Sequence, residues 1–270
     1  MVERFDATSQ SWHPVRFPVQ DVSDIAVLTE YFADVRYELD RTRLDEVKAQ
    51  VEAAGADALT ACSIGESALM YWVEYLAGVE NAHYLLIEHE PEVLALFETI
   101  HRGLLRRAEL LLEYAPCDVL YMVENTSTTL ISPQQYRRYC FGHIRAYAQM
   151  ARDAGRRLVL HMCGRLKALL PDLAAVSATA FEAFTSPPIG DTTLRDGRTG
   201  CPDVCLIGGT NAVLWTRPAA AIIAELEAHL AELPHHRGLA VTSAGVMPPM
   251  ATPETIKAVC DWVHAYPARM

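Results

Sequence analysis

The chain has 270 residues, of which 51% are hydrophobic and 21% charged, and its formal net charge is −11. That length can bury a full core, while the acidic balance excludes the clustered Lys and Arg of a nucleic-acid surface and any attraction to anionic lipid. No apolar run approaches the roughly 18 residues that span a bilayer, residues 1–20 hold no apolar leader segment, and seven scattered cysteines suit reduced thiols, so a cytoplasmic protein is expected.

Residues 1–55 are poorly patterned and read as an N-terminal helical region of a single domain spanning 1–270. Ala56 to Ser63 is the first strand-like run. The long amphipathic stretch from Pro91 to Tyr114 follows, with Val93, Leu94, Phe97, Ile100, Leu104 and Leu111 facing inward and Arg102, Arg106 and Arg107 outward. Cys117 to Glu124 is a second strand. Ser132-Pro133-Gln134-Gln135 then starts a helix, because Ser132 can cap, Pro133 fits the first helical position and Gln135 can reach back to the cap. Further strands are expected at Leu158 to Cys163, Thr179 to Phe184, Val204 to Gly208 and Leu239 to Ser243, and Thr252-Pro253-Glu254 opens a last helix reaching about Tyr266. Between the fourth and fifth strands, Thr185 to Pro202 is long and irregular, which predicts a lid or binding loop, or else a surface loop without a role.

Strands that are apolar throughout and alternate with helices imply a parallel sheet covered by helices. Gly208-Gly209-Thr210-Asn211 lacks the third glycine of a dinucleotide fingerprint, so the expected fold is α/β with a TIM (β/α)8-type barrel. Only six strands are convincing where such a barrel has eight. Either two lie in the poorly patterned N-terminal region or the first part is lacking; an open edge would then call for a homodimer or another partner chain.

A barrel of this kind works at the carboxyl ends of its strands, and the polar residues gather there. They are Ser63 and Glu66, then Glu124-Asn125-Thr126, His161 and Cys163, Glu182, Thr210-Asn211, and Thr242-Ser243. His161 and Cys163 are two apart on one strand, so both can point to one place, and imidazole with thiolate is zinc chemistry. The alternative is metal-free: His161 moves protons and Cys163 packs or assists. Glu124 is a candidate base or ligand and Asn125 a substrate-orienting group, unless the segment is simply a Ser/Thr or Asx turn. Thr210, Asn211, Asp191 and Ser243 are candidate substrate contacts.

His161-Met162-Cys163-Gly164, Gly208-Gly209-Thr210, Ser243-Ala244-Gly245-Val246 before Thr252-Pro253-Glu254, and Leu130-Ile131-Ser132-Pro133-Gln134-Gln135-Tyr136 after Glu124 together resemble the uroporphyrinogen decarboxylase superfamily, in particular its cobalamin-dependent methyltransferase branch. The likeness runs from about Ala56 to Ala265. It implies a zinc site that holds a small acceptor, such as a thiol, for a methyl group delivered by methylcobalamin on a corrinoid carrier protein. Two departures bear on that. The Arg- and Gly-rich amino-terminal segment of true uroporphyrinogen decarboxylases has no counterpart, which does not favour porphyrinogen decarboxylation, and the family's third zinc ligand, a cysteine, falls at Val246. Glu182 is then the first choice to complete the set with His161 and Cys163, Glu124 the second, and Cys201 or Cys205 a third. A metal-independent decarboxylase or lyase on a small acid, and a non-catalytic homologue that binds a ligand or a corrinoid protein, are the alternatives.

Overall fold

In the structure, a computed structural model that describes residues 1–8 and 10–269, the chain opens on an antiparallel hairpin, β1 (Val2–Asp6) and β2 (Ser11–Arg16). The hairpin precedes the helices in a region, 1–55, expected to be helical. Phe5 packs edge-on against Trp12 across the ribbon, with ring centroids 5.6 Å apart. Helices α1 (Val22–Asp34) and α2 (Arg41–Ala54) follow. Asp21 and Asp24 form a capping box at the start of α1, and the Asp40 carboxylate caps α2 by accepting from Arg43 N at 3.0 Å.

Six strands then form one sheet: β3 (Ala61–Gly65), β4 (Val119–Val123), β5 (Leu158–His161), β6 (Ala180–Phe184), β7 (Cys205–Gly209) and β8 (Leu239–Thr242). They are all parallel, and their order in the sheet is their order in the chain. A doubly wound sheet reverses direction at a switch point, whereas an unbroken sequential order is that of a barrel wall. β3 and β8 are its two edges, so the wall is open.

Between β3 and β4 run α3 (Ala68–Tyr71), which continues as a π-helical turn over Trp72–Leu76, then α4 (Val79–Glu88) and the 25-residue α5 (Glu90–Tyr114). On α5 the buried residues Val93, Phe97, Ile100, Leu104 and Ala108 recur every three or four positions, and so build one apolar stripe. Helices α6 (Pro133–Tyr139) and α7 (Phe141–Asp153) precede β5. The capping box of Ser132 and Gln135 forms as its spacing predicts. Then come α8 (Leu170–Val176), α9 (Leu194–Gly200), α10 (Ala219–Ala231) and α11 (Pro253–Ala265). The expected irregular loop from Thr185 to Pro202 is thus partly a helix, begun by a Thr193–Asp196 capping box. Gly197 and Gly200 are poor helix formers, so local propensity does not announce this helix.

Alternate strand residues divide two environments. Leu120, Met122, Leu158, Leu160, Phe181 and Leu206 join the main core under the helices, while Val119, Val159 and Ala180 pack with Tyr121, Cys205 and Ile207 in a separate inner cluster. The inner residues stand in registered rows. Tyr121, Val159, Ala180 and Cys205 are neighbours in one, and Val123, His161, Glu182 and Ile207 in the next, nearer the carboxyl ends.

Candidate functional site

The upper inner row carries the chemistry. His161 and Glu182 are side-by-side partners on β5 and β6, and the His161 Nδ1 and the Glu182 Oε2 are hydrogen-bonded. Tyr121, one row deeper on β4, donates its hydroxyl to the same Oε2 at 2.6 Å. The carboxylate therefore fixes the histidine ring by one nitrogen, with Nε2 as the ring's remaining polar atom. Burial acts to raise Glu182, but hydrogen bonds from His161 and Tyr121 outweigh it and hold the carboxyl below its ordinary value. At His161 burial opposes the charge, yet hydrogen bonds to Cys163 and Glu182, with their charges, outweigh it and raise the imidazole to about 9.

Beyond the strand end, Cys163 Sγ donates to Asn125 Oδ1 at 3.3 Å, and Asn125 Nδ2 donates to Glu74 Oε2 at 3.1 Å. Asn125 adopts a left-handed backbone (φ 45°), as do Ala183 (φ 58°) and Ala244 (φ 49°), so the ends of β4, β6 and β8 all carry non-glycine residues in a costly conformation. Glu74 lies in the π-helical turn, a feature that often marks functional positions. Burial and the charge of Glu124 push Glu74 up to about 7, against the pull of its bond to Asn125. Burial, with the charges of Glu74 and Glu124, carries Glu66 up to about 8.

The structure brings His161, Cys163, Glu182 and Asn125 together with Tyr121 and Glu74. Tyr121 could have been found from the period of two that places it under the strand's inner face. Glu74 carries no comparable signal, because a π-turn shifts its helical phase.

Glu124 does not face the mouth, which corrects its expected position. It is completely enclosed behind β4, accepting from Ser67 N (2.9 Å), Ser67 Oγ (2.6 Å), Thr126 Oγ1 (3.1 Å) and Cys140 Sγ (3.0 Å), and burial raises its carboxyl. Residue 124 follows the inward Val123, so alternation turns it toward the helices. The polar atoms of the other candidate substrate contacts are hydrogen-bonded within the fold. Thr210 Oγ1 donates to Thr242 O at 2.6 Å, Asn211 braces Ser186 and Pro187, Asp191 accepts from Leu166 N and Lys167 N, and Ser243 Oγ donates to Gly245 O.

A zinc ion bound as the resemblance implies would need three protein donors. His161 Nε2 and Cys163 Sγ provide two. Glu182 is engaged by His161 and Tyr121, Cys201 is buried against Leu170 O, and Val246 is 89% exposed and has no donor atom. Among the described residues no group of three or more His, Cys, Asp and Glu side chains is arranged to hold a metal ion. The expected set of His161, Cys163 and Glu182 therefore does not fit a three-ligand centre, and Glu182 fits the part of an orienting partner.

A sequential parallel wall with its polar cluster at the carboxyl ends defines a barrel-type α/β protein. The family model for uroporphyrinogen decarboxylase (URO-D) matches residues 42–266, and the chain belongs to that family. No curated protein matches it. Among solved structures it is similar to a methyltransferase from Methanosarcina mazei, with 19% identity and a TM-score of 0.64 over 81% of this chain and 62% of that one. The chain thus spans less than two thirds of that protein's length, and the likeness is one of fold.

Proposed function

We propose that this chain is a methyltransferase-like enzyme, in which a methyl group passes to a small acceptor at the open mouth beside His161. The observation that carries this reading is the registered pair of His161 and Glu182, with Cys163 beside it, at the carboxyl end of the parallel wall. It is supported by family membership and by the fold of the Methanosarcina mazei protein. A cation fixed at the mouth favours an acceptor in its anionic form, such as a thiolate. The acceptor enters as its anion, its proton left to solvent, and pairs with the Nε2–H of the His161 imidazolium, while Glu182 and Tyr121 hold the ring in place. The acceptor's lone pair then forms the new bond to the methyl carbon as the donor–methyl bond breaks, and the donor leaves with that electron pair. The donor class is methylcobalamin carried by a corrinoid partner.

A second reading, decarboxylation of a small acid, is favoured by one observation: Glu74, raised to about 7 at the mouth, is a proton source for a carbanion. Incubating the purified chain with methyl-labelled methylcobalamin and a panel of small thiols tests the choice. Label in the thiol product, retained after dialysis against a chelator, supports metal-free methyl transfer. Labelled product that disappears on chelation would restore zinc and a third donor; carbon dioxide release from small acids without label transfer would replace the first reading by the second.

A further inference from the structure

Beside the mouth, between α1, α5 and the end of β3, lies a cavity of about 180 Å³. Its walls include Phe32, Tyr37, Tyr71 and Leu104, and two groups that can carry charge, Glu66 and Arg107, line it as well. Glu66 is hydrogen-bonded to Tyr75, yet both groups keep bonding capacity that the protein leaves open. Glu66 Oε2 is buried without a hydrogen-bond partner. The half-buried Arg107 forms no hydrogen bond or ion pair with any described residue, although a guanidinium carries five donors. Its neighbour Arg106 behaves ordinarily, exposed and paired with Glu109 at 2.9 Å.

Two glycines give the cavity its shape. A Cβ on Gly65 would meet Leu104 Cδ2 at 3.2 Å and Arg107 Nη1 at 3.8 Å, and one on Gly103 would meet Tyr37 Cε2 at 3.3 Å. Burial and the charges of Glu74 and Glu124 raise Glu66 to about 8, so it is mostly uncharged at neutral pH and Arg107 is left as the charge in the cavity. An unpaired planar cation at the wall of an aromatic and aliphatic pocket matches a carboxylate joined to a short apolar body.

We infer that this cavity is a binding site for a small monocarboxylate, its carboxylate held by Arg107, its apolar body against Phe32, Tyr37 and Tyr71, and Glu66 as a hydrogen-bonding neighbour. The site is separate from the His161 cluster and does not rest on the methyl-transfer reading. The volume is well below the roughly 300–1,000 Å³ of pockets for larger organic ligands, so the ligand is short.

Calorimetric titration of the full chain with pentanoate, pentanol and pentylamine tests the inference. Pentanoate is expected to bind saturably and at least about 10-fold more tightly than pentanol or pentylamine, as a charge-assisted hydrogen bond warrants. Arg107→Met, which keeps the stem, and Gly103→Leu, which fills the cavity but leaves Arg107, should each weaken pentanoate by about 10-fold or more, whereas Arg106→Ala should not. Circular dichroism identifies which variants are folded, and one folded cavity variant suffices. Absence of saturable pentanoate binding, equal binding of pentylamine, or unchanged binding in a folded Arg107→Met protein would overturn it.

Discussion

At His161 two effects compete, and the magnitudes decide which wins: burial disfavours the imidazolium, but Cys163 and Glu182 favour it more, and the result lies near 9. The folded value exceeds the ordinary 6.5, so the stabilisation from His161 is whole below about 6.5 and is lost as the pH climbs through about 9, while that from the lowered Glu182 is whole above 4.5 and is lost as the pH falls further. Replacing the carboxylate by a neutral amide, Glu182→Gln, removes the charge while keeping the shape. The imidazole resonances of chelator-treated protein should then titrate lower by about one pH unit or more, as followed by NMR; an unchanged midpoint would remove Glu182 from its orienting role. Glu66 shows the opposite cost. Its carboxyl is raised from 4.5 to about 8, so the folded state holds a proton that the unfolded state has lost, and stability falls as the pH rises across that window. Glu66→Gln should therefore raise the melting temperature by about 2 °C or more near pH 9, with little change near pH 4, in paired thermal melts.

Whole elements are held by what their ends can hydrogen-bond. Glu124 gathers the N-terminus of α3, through Ser67, and the end of α6, through Cys140, into one enclosed knot. Glu124→Ala would leave several buried donors without an acceptor and should cost about 3 kcal/mol or more in urea unfolding, while Glu124→Gln, which still accepts, should cost clearly less. Equal, small losses in both would place Glu124 outside the scaffold. The same residue shows what the sequence made legible. Strands β4 to β8 were readable because uninterrupted apolar runs mark buried parallel strands, and His161 with Cys163 because a two-residue spacing keeps one face. A polar residue at a strand end suggests a place at the mouth, but the odd offset of Glu124 from Tyr121 and Val123 sends it outward. In sequence Tyr121 looks like one more apolar strand residue, and the neighbours that perturb Glu74 come from distant segments.

On the scale of the whole molecule, the wall and its helices form the stable body, and the N-terminal hairpin stands apart from it. Every described strand residue of the hairpin except the half-buried Ser11 is exposed, whereas Val19 is fully buried and its amide donates to Leu76 O at 2.9 Å. A chain beginning at Phe17 should therefore melt within about 3 °C of the full chain by calorimetry; a larger fall would show that β1 and β2 support the core. The hairpin escaped sequence analysis because isolated ribbons bury nothing, so no apolar periodicity marks them. The open wall leaves its polar mouth organised around a few registered side chains, and on the proposed function the His161 imidazolium holds the acceptor in its anionic form there. The rate of methyl transfer from methylcobalamin to a small thiol, compared between the wild type and His161→Ala, tests this most directly. A working wild type and a variant slowed by about 100-fold or more, with its fold intact, is the predicted result; an inert wild type, or a folded variant as fast as the wild type, would contradict it.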